Sequence, residues 1–411
     1  MSKPMGPIPP EFAAQQGMLR IGGQPADALI AEAGGTPLFV YDAAIAAARI
    51  ARFRSAFGDS AGLHYAMKAN PYRPFLNWIA KEVDGLDVAS AGEMRAALAA
   101  GMNARHISFA GPGKRDAELQ AGIEAGVTIN LESEGEANRA LSIAARLGIC
   151  PRLAVRVNPD FEIKGSGMRM GGGAKPFGVD AARVPALVRR LIDAGADWRG
   201  FHIFAGSQAL KAEALIEAQA ASLALAADLA EQAGSAPPLV NLGGGFGISY
   251  MAGDTPLDVE AVAIALKENL NKQPQILANT EFIIELGRWL VGEAGVYLTR
   301  IVDRKNSHDK TFLIVDGGMH HQLAASGNFG QVVRRNYPVA VAARMGLDAE
   351  EEVSIVGCLC TPLDRLADDV MLPRADVGDI IVLFLAGAYG LSASPQAFLS
   401  HEPAREMLIG G

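Results

Sequence analysis

From about residue 60 onward the chain alternates short apolar, β-branched runs with Ala-rich stretches of helical period. The runs at 63–68 (LHYAMK), 85–88 (GLDV), 106–109 (HISF), 127–131 (VTINL), 153–157 (LAVRV), 200–204 (GFHIF), 239–242 (LVNL) and 282–285 (FIIE) have the length and apolar density of buried strands. The segments 92–100, 115–125, 134–148, 181–195, 210–233 and 258–271 between them read as helices. Strand–helix alternation repeated eight times predicts a parallel (β/α)8 barrel, an α/β fold. Past about 295 the helices thin out, and the runs at 295–303, 311–315, 352–356 and 379–385 predict a second, mainly β domain. The expected division is an N-terminal segment, 1–36, packing with the β domain, a barrel over 37–295 and the β domain over 296–411. The Gly-rich stretch 165–173 reads equally as a mobile active-site loop or as a solvent-exposed connection.

A length of 411 residues suits one large domain and one smaller one. The net charge of −8, with no run of Lys and Arg, argues against a non-specific nucleic-acid binder. Cys150, Cys358 and Cys360 make neither a disulfide framework nor a metal-ligand set, so no metal is expected, and they suit a reducing cytoplasm. The opening MSKPMGPIPPEF lacks the apolar core of a signal peptide and reads as a loose arm. No apolar run is long enough for a bilayer, so no membrane is expected among the partners.

Active sites of such barrels lie at the C-terminal ends of the strands. There the predicted first strand ends in Lys68, the sixth carries His202 and leads into Gly206-Ser207-Gln208, the seventh precedes Gly243-Gly244-Gly245-Phe246-Gly247, and the eighth ends in Glu285 before Gly287 and Arg288. Consecutive glycines let backbone N–H groups close around an anion, or else simply make a tight turn; Arg288 and the Ser207 hydroxyl favour a phosphate site. Lys68, in an apolar strand, is a candidate Schiff-base amine if desolvation lowers its pKa, and otherwise a structural ion-pair partner. Glu285 could equally cap a helix. Together, a phosphate site, an amine and a carboxylate for a pyridine nitrogen describe pyridoxal 5'-phosphate.

The motifs YAMKANP, DVASAGE (87–93), GSQ (206–208), GGGFG, E-x-G-R (285–288), VDGGM (315–319), Cys360 with Asp364, and GAYG (387–390) resemble the diaminopimelate/ornithine decarboxylase family, over about 37–395. The resemblance implies the alanine-racemase-like fold, a barrel plus a β domain, and a homodimer with shared active sites. It gives Lys68 the cofactor as an internal aldimine, Glu285 the pyridine nitrogen, and Gly245 with its neighbours Gly244 and Gly287 the phosphate. Arg288 takes phosphate or substrate carboxylate. From the partner subunit, Tyr389 reaches the phosphate and Cys360 protonates the carbanion once carbon dioxide has left. A carboxylate at 285 keeps the ring an effective electron sink and favours decarboxylation over racemisation.

The departures concern the substrate. Where diaminopimelate decarboxylases read Cys-Glu-Ser-Gly-Asp, this chain reads Cys360-Thr361-Pro362-Leu363-Asp364, without the acidic group for a distal ammonium. After VDGGM come His320 and His321, without the family's Arg-Pro, and Phe398-Leu399-Ser400 replaces its Tyr-Asn-Ser. Thr361, Asp364 and His320 are the candidate substrate contacts beside Arg288; the paired histidines could equally be solvated. The ring-stacking histidine of the family falls on Phe204, with His202 two residues earlier on the same strand face; Phe204 is preferred as the stacker, with His202 close by. The Cys-Thr-Pro segment is similar to decarboxylases acting on an aminoacyl group held by a carrier protein, and to those encoded with exosortase or exopolysaccharide systems. Competing readings are an amino-acid racemase or epimerase, a non-catalytic binding homologue, and a Schiff-base aldolase using Lys68.

Overall fold

Strands β1 (Gly62–Ala66), β2 (Gly85–Val88), β3 (Ile107–Phe109), β4 (Thr128–Leu131), β5 (Arg152–Asn158), β6 (Asp197–Ile203), β7 (Leu239–Asn241) and β8 (Glu281–Leu286) run parallel in the computed structural model. Each pairs with the next, and β8 pairs back onto β1, which closes the barrel. The structure describes residues 2–12, 14–161, 168–169, 172–327 and 335–411. Most of the Gly-rich stretch 165–173 therefore lies outside the described residues. The barrel fold is the predicted one, with strand ends shifted by a few residues.

The helices form for local reasons. Helix α1 (Glu134–Leu147) starts at Ser133, whose hydroxyl accepts the Glu136 N–H, and stops at Gly148 in the left-handed region. Helix α2 (Val184–Asp193) buries Val184, Leu187, Val188 and Leu191, an i, i+3, i+4, i+7 stripe. Each such side chain contributes about 1.5–3 kcal/mol on leaving water.

The chain divides into two compact units. One comprises Ile50–Gly247 and Pro256–Gly287 and contains the barrel. The other comprises Met1–Arg49, Ile248–Thr255 and Arg288–Gly411. These limits differ from the expected boundaries at 37 and 295, because Leu38–Asp42 is a fully buried strand of the β unit. It lies between Gly295–Ser307, antiparallel, and Arg405–Ile409, parallel. Gly295–Ser307 also pairs with Lys310–Val315 and Ile380–Leu383. Glu351–Val356 and Arg365–Leu372 extend this sheet, and Val339–Val341 edges it beyond Ile380–Leu383. The expected loose arm is pinned: Phe12 is buried with its ring 5.5 Å from that of Phe384, and the Lys3 N–H donates to the Asp369 carbonyl. Among the described residues, no helix is long and apolar enough to cross a membrane.

Candidate active site

At the C-terminal end of the barrel, β7 finishes at Asn241, which is 2 % exposed. An amide inside a strand must find partners when buried, and this one finds two. Its Nδ2 donates to Glu285 Oε2 at 3.0 Å, and its Oδ1 accepts the Gly243 N–H at 2.7 Å. Asn241 thus ties the carboxylate at the end of β8 to the glycine turn. A Cβ on Gly244 would sit 1.9 Å from the Glu285 carbonyl oxygen, and Gly245 has a φ of +82°; each position favours glycine. Ala209 donates to the Gly245 carbonyl and Gly247 donates to Ala209, each at 2.9 Å. These bonds lace the Ser207 loop to the same turn.

Glu285 is buried, which opposes its ionisation. The His202 imidazole, with Lys68 and Arg156 further off, outweighs that burial and holds the carboxyl down to about 2. His202 Nε2 stands 3.1 Å from Glu285 Oε2, although neither ring nitrogen has a well-aligned hydrogen bond. Phe204 follows past the end of β6, its ring centroid 6.5 Å from that of His202 and 5.8 Å from Lys68 Nζ. Strand β1 ends at Ala66, two residues before the strand end read from sequence, and Lys68 sits in a 3-10 turn, Met67–Ala69, with its side chain exposed.

These residues fit pyridoxal phosphate. An amine and a buried carboxylate share one barrel end, while a glycine cradle that no side chain could enter lies beside them. The Ser207 hydroxyl is buried with no partner among the described residues, as a donor reserved for a bound oxyanion would be. Gly287 also belongs to this end, since a Cβ there would lie 3.0 Å from that of Ala69.

A buried ion cluster beneath the site was missed from sequence. Arg156 on β5 pairs with Glu132 at 3.0 Å, and Lys114 pairs with Glu136 at 2.8 Å, with every side chain under 10 % exposed. Glu132 also accepts the N–H groups of Gly111 and Gly178. The Arg in LAVRV was the available signal, a charge at the centre of a strand otherwise buried on both faces.

The remaining candidates belong to the β unit. Arg288 donates to the Tyr250 hydroxyl at 2.8 Å, and its guanidinium lies 5.3 Å from the Tyr250 ring and 4.7 Å from the Tyr389 ring. Tyr389 has a φ of +53°, uncommon for an aromatic residue. Cys360 is exposed and Thr361 half-buried. Asp364, expected at the substrate, is 2 % exposed and accepts the backbone N–H groups of Met319 and Leu359 at 2.6 and 2.8 Å. Its oxygens brace the 357–364 turn. His320 is fully buried with neither ring nitrogen partnered, so it is not the solvated loop histidine that the sequence also allowed.

Comparison with known proteins accords with this geometry. The family described as pyridoxal-dependent decarboxylase, pyridoxal binding domain, matches residues 44–292. An L-glutamyl-[BtrI acyl-carrier protein] decarboxylase of Niallia circulans is 34 % identical over 379 residues, covering 91 % of this chain and 88 % of that protein. A diaminopimelate decarboxylase of Archaeoglobus fulgidus is 31 % identical over 406 residues, covering 97 % and 94 %. The crystal structure of diaminopimelate decarboxylase from Helicobacter pylori complexed with L-lysine superimposes with a TM-score of 0.83 at 27 % identity, covering 93 % of this chain and 94 % of that one. A closed barrel with a lysine, a carboxylate and a glycine cradle at one end, together with these similarities, makes the chain a member of the pyridoxal-phosphate-dependent decarboxylase family with the alanine-racemase-like fold.

Proposed function

We propose that this chain decarboxylates an α-amino acid whose far end is uncharged, most simply an aminoacyl group carried by a carrier protein. The observation that carries the reading is Glu285, buried and ionised, with Asn241 and His202 on one carboxylate oxygen. When bound, pyridoxal phosphate supplies a sink for the electron pair released as the bond from Cα to the carboxylate breaks. Glu285 holds a proton at the pyridine nitrogen and so keeps that sink strong. Lys68 provides the amine that retains the cofactor and exchanges with substrate. Gly244, Gly245, Gly287 and the Ser207 hydroxyl are suited to the phosphate. His202 and Phe204 flank the ring position, and Arg288 and Tyr389 are suited to phosphate or substrate carboxylate.

In this reading the Cys360 thiol of a second copy delivers a proton to Cα after carbon dioxide leaves, and solvent replaces that proton. The working form is then a homodimer, in the cytoplasm. A racemase would share Lys68 and the glycine turn, but the carboxylate at 285 favours loss of carbon dioxide.

The substrate class rests on the turn after Cys360. Thr361 and Leu363 carry no charge, and Asp364 is committed to backbone donors. No carboxylate in Cys360–Asp364 is free to pair with a distal ammonium. The acyl-carrier decarboxylase of Niallia circulans supports the same choice. The test measures carbon dioxide release from free diaminopimelate, free ornithine, and a carrier protein loaded with a glutamyl group. Turnover of the loaded carrier, with the free diamines far slower, is expected. Free diaminopimelate turned over at an ordinary rate of roughly 1 s⁻¹ or more would overturn the substrate assignment.

A further inference from the structure

The β unit gathers His320, Cys358 and His401, three residues far apart in sequence, with one potential ligand atom from each all within 4.8 Å of one another. Cys358 Sγ lies 3.9 Å from His401 Nδ1, and the His320 and His401 rings are 5.3 Å apart. A tetrahedral zinc site, with bonds of about 2.3 Å to sulfur and 2.0–2.1 Å to nitrogen, needs ligand atoms separated by roughly 3.3–3.6 Å. The exposed His401 can close the difference by a small movement.

Two further observations point to a ligand. His320 is fully buried, yet neither ring nitrogen has a partner among the described residues. An imidazole buried in this way costs a few kcal/mol unless something completes it. Its neighbour His321 is fully committed. Its Nε2 must carry the proton, since it faces the Glu402 carbonyl at 3.1 Å, and this leaves Nδ1 to accept from the Tyr297 hydroxyl at 3.0 Å. His321 therefore fastens the backbone next to His401, while Asp364 fastens the turn next to Cys358 through the Leu359 N–H. The cluster has a supporting shell of the kind that orients metal ligands.

We propose that His320, Cys358 and His401 form a binding site for a zinc-class divalent cation, with a fourth position left to water or another donor. Two nitrogens and one thiolate are a ligand set that borderline-soft ions prefer to oxygen-seeking ones such as magnesium. The carboxylates of Asp364 and Asp316 act electrostatically on the Cys358 thiol. Those carboxylates favour a divalent cation at the same place, and a coordinated thiol is deprotonated outright. The proposal departs from the expectation that the three cysteines imply no metal, because two histidines join one of them across the fold.

The experiment is a cobalt(II) titration of the holoenzyme, followed by absorption in the red, clear of the cofactor, and by bound metal after gel filtration. One ion per chain with the intense ligand-field bands of a tetrahedral site is expected. Cys358→Ser, nearly isosteric, and His401→Asn, on an exposed side chain, should each weaken binding more than tenfold, whereas Cys150→Ser should not. Failure of the wild-type chain to take up one ion, or either variant binding as tightly as wild type, overturns the proposal.

Discussion

Asn241 Nδ2 donates to Glu285 Oε2 at 3.0 Å, and with its own Oδ1 on the Gly243 N–H this one amide sets both the carboxylate and the glycine turn. Asn241→Leu should therefore act on cofactor binding. A hydrogen bond to a charged group contributes about 1.5–3 kcal/mol, so pyridoxal phosphate affinity should fall roughly ten- to a hundredfold. An absorbance titration of the apoprotein reads this directly; an unchanged dissociation constant would remove Asn241 from the site.

The depressed Glu285 carboxyl makes a prediction about acid. The unfolded chain takes up this proton near the ordinary value of 4.5, whereas the folded chain resists until about 2. Between those values the unfolded state binds more protons, so stability is present above the window and is lost as pH falls through it. Denaturant unfolding of the apoprotein should lose about 1.4 kcal/mol per pH unit from this one group. Glu285→Gln should flatten the slope by that amount, and parallel curves would show that the carboxyl is not held down.

The barrel was legible because its strands are continuous apolar runs between helices with clear caps and stripes. Pairing between distant segments left less trace. Arg405–Ile409 adds in parallel to Leu38–Asp42, and no local pattern announces that partnership. Arg365–Leu372, with two central aspartates, was not among the predicted strands although most of it is buried. The site was read where chemistry coincides with a strand end, as at Glu285 and the glycine turn. The end of β1 was placed two residues late, at Lys68, where a run of apolar residues concealed the turn that follows Ala66.

Buried charge offers a third test. Arg156 and Glu132 pair at 3.0 Å with side chains 9 % and 2 % exposed. Arg156→Met leaves Glu132 with two backbone donors and only the electrostatic pull of Lys114 in place of its ion-pair partner, and removing one partner of a buried pair costs about 3–5 kcal/mol. A denaturant midpoint close to that of wild type would mean that water reaches Glu132 in the folded protein.

Substitution of Cys360 separates proton delivery from cofactor binding. Cys360→Ala should leave the visible absorption of the holoenzyme unchanged and slow decarboxylation about 10²–10⁴-fold, the range for losing a positioned proton donor. Lys68→Ala, by contrast, should abolish the absorption that borohydride otherwise fixes to the chain. Full activity in the cysteine variant would pass the proton-donor role to another group.

Thr361→Glu restores an acidic group beside Cys360. It should raise kcat/KM for ornithine relative to the carrier-bound substrate by about tenfold or more, the equivalent of ~1.4 kcal/mol from one charge-assisted contact. A ratio that does not move would detach Thr361 from the substrate's far end.

The place of Leu38–Asp42 between Gly295–Ser307 and Arg405–Ile409 has a consequence for biosynthesis. The ribosome releases this buried, largely apolar strand long before either neighbour exists. The barrel strands, each paired mainly with the next in sequence, can meanwhile assemble as they emerge. The early strand must wait with both edges open, the state most prone to pairing with another chain. Translation speed across the second half of the message, and chaperones that shield a waiting strand, should therefore govern the yield of native protein more than the stability of the finished fold.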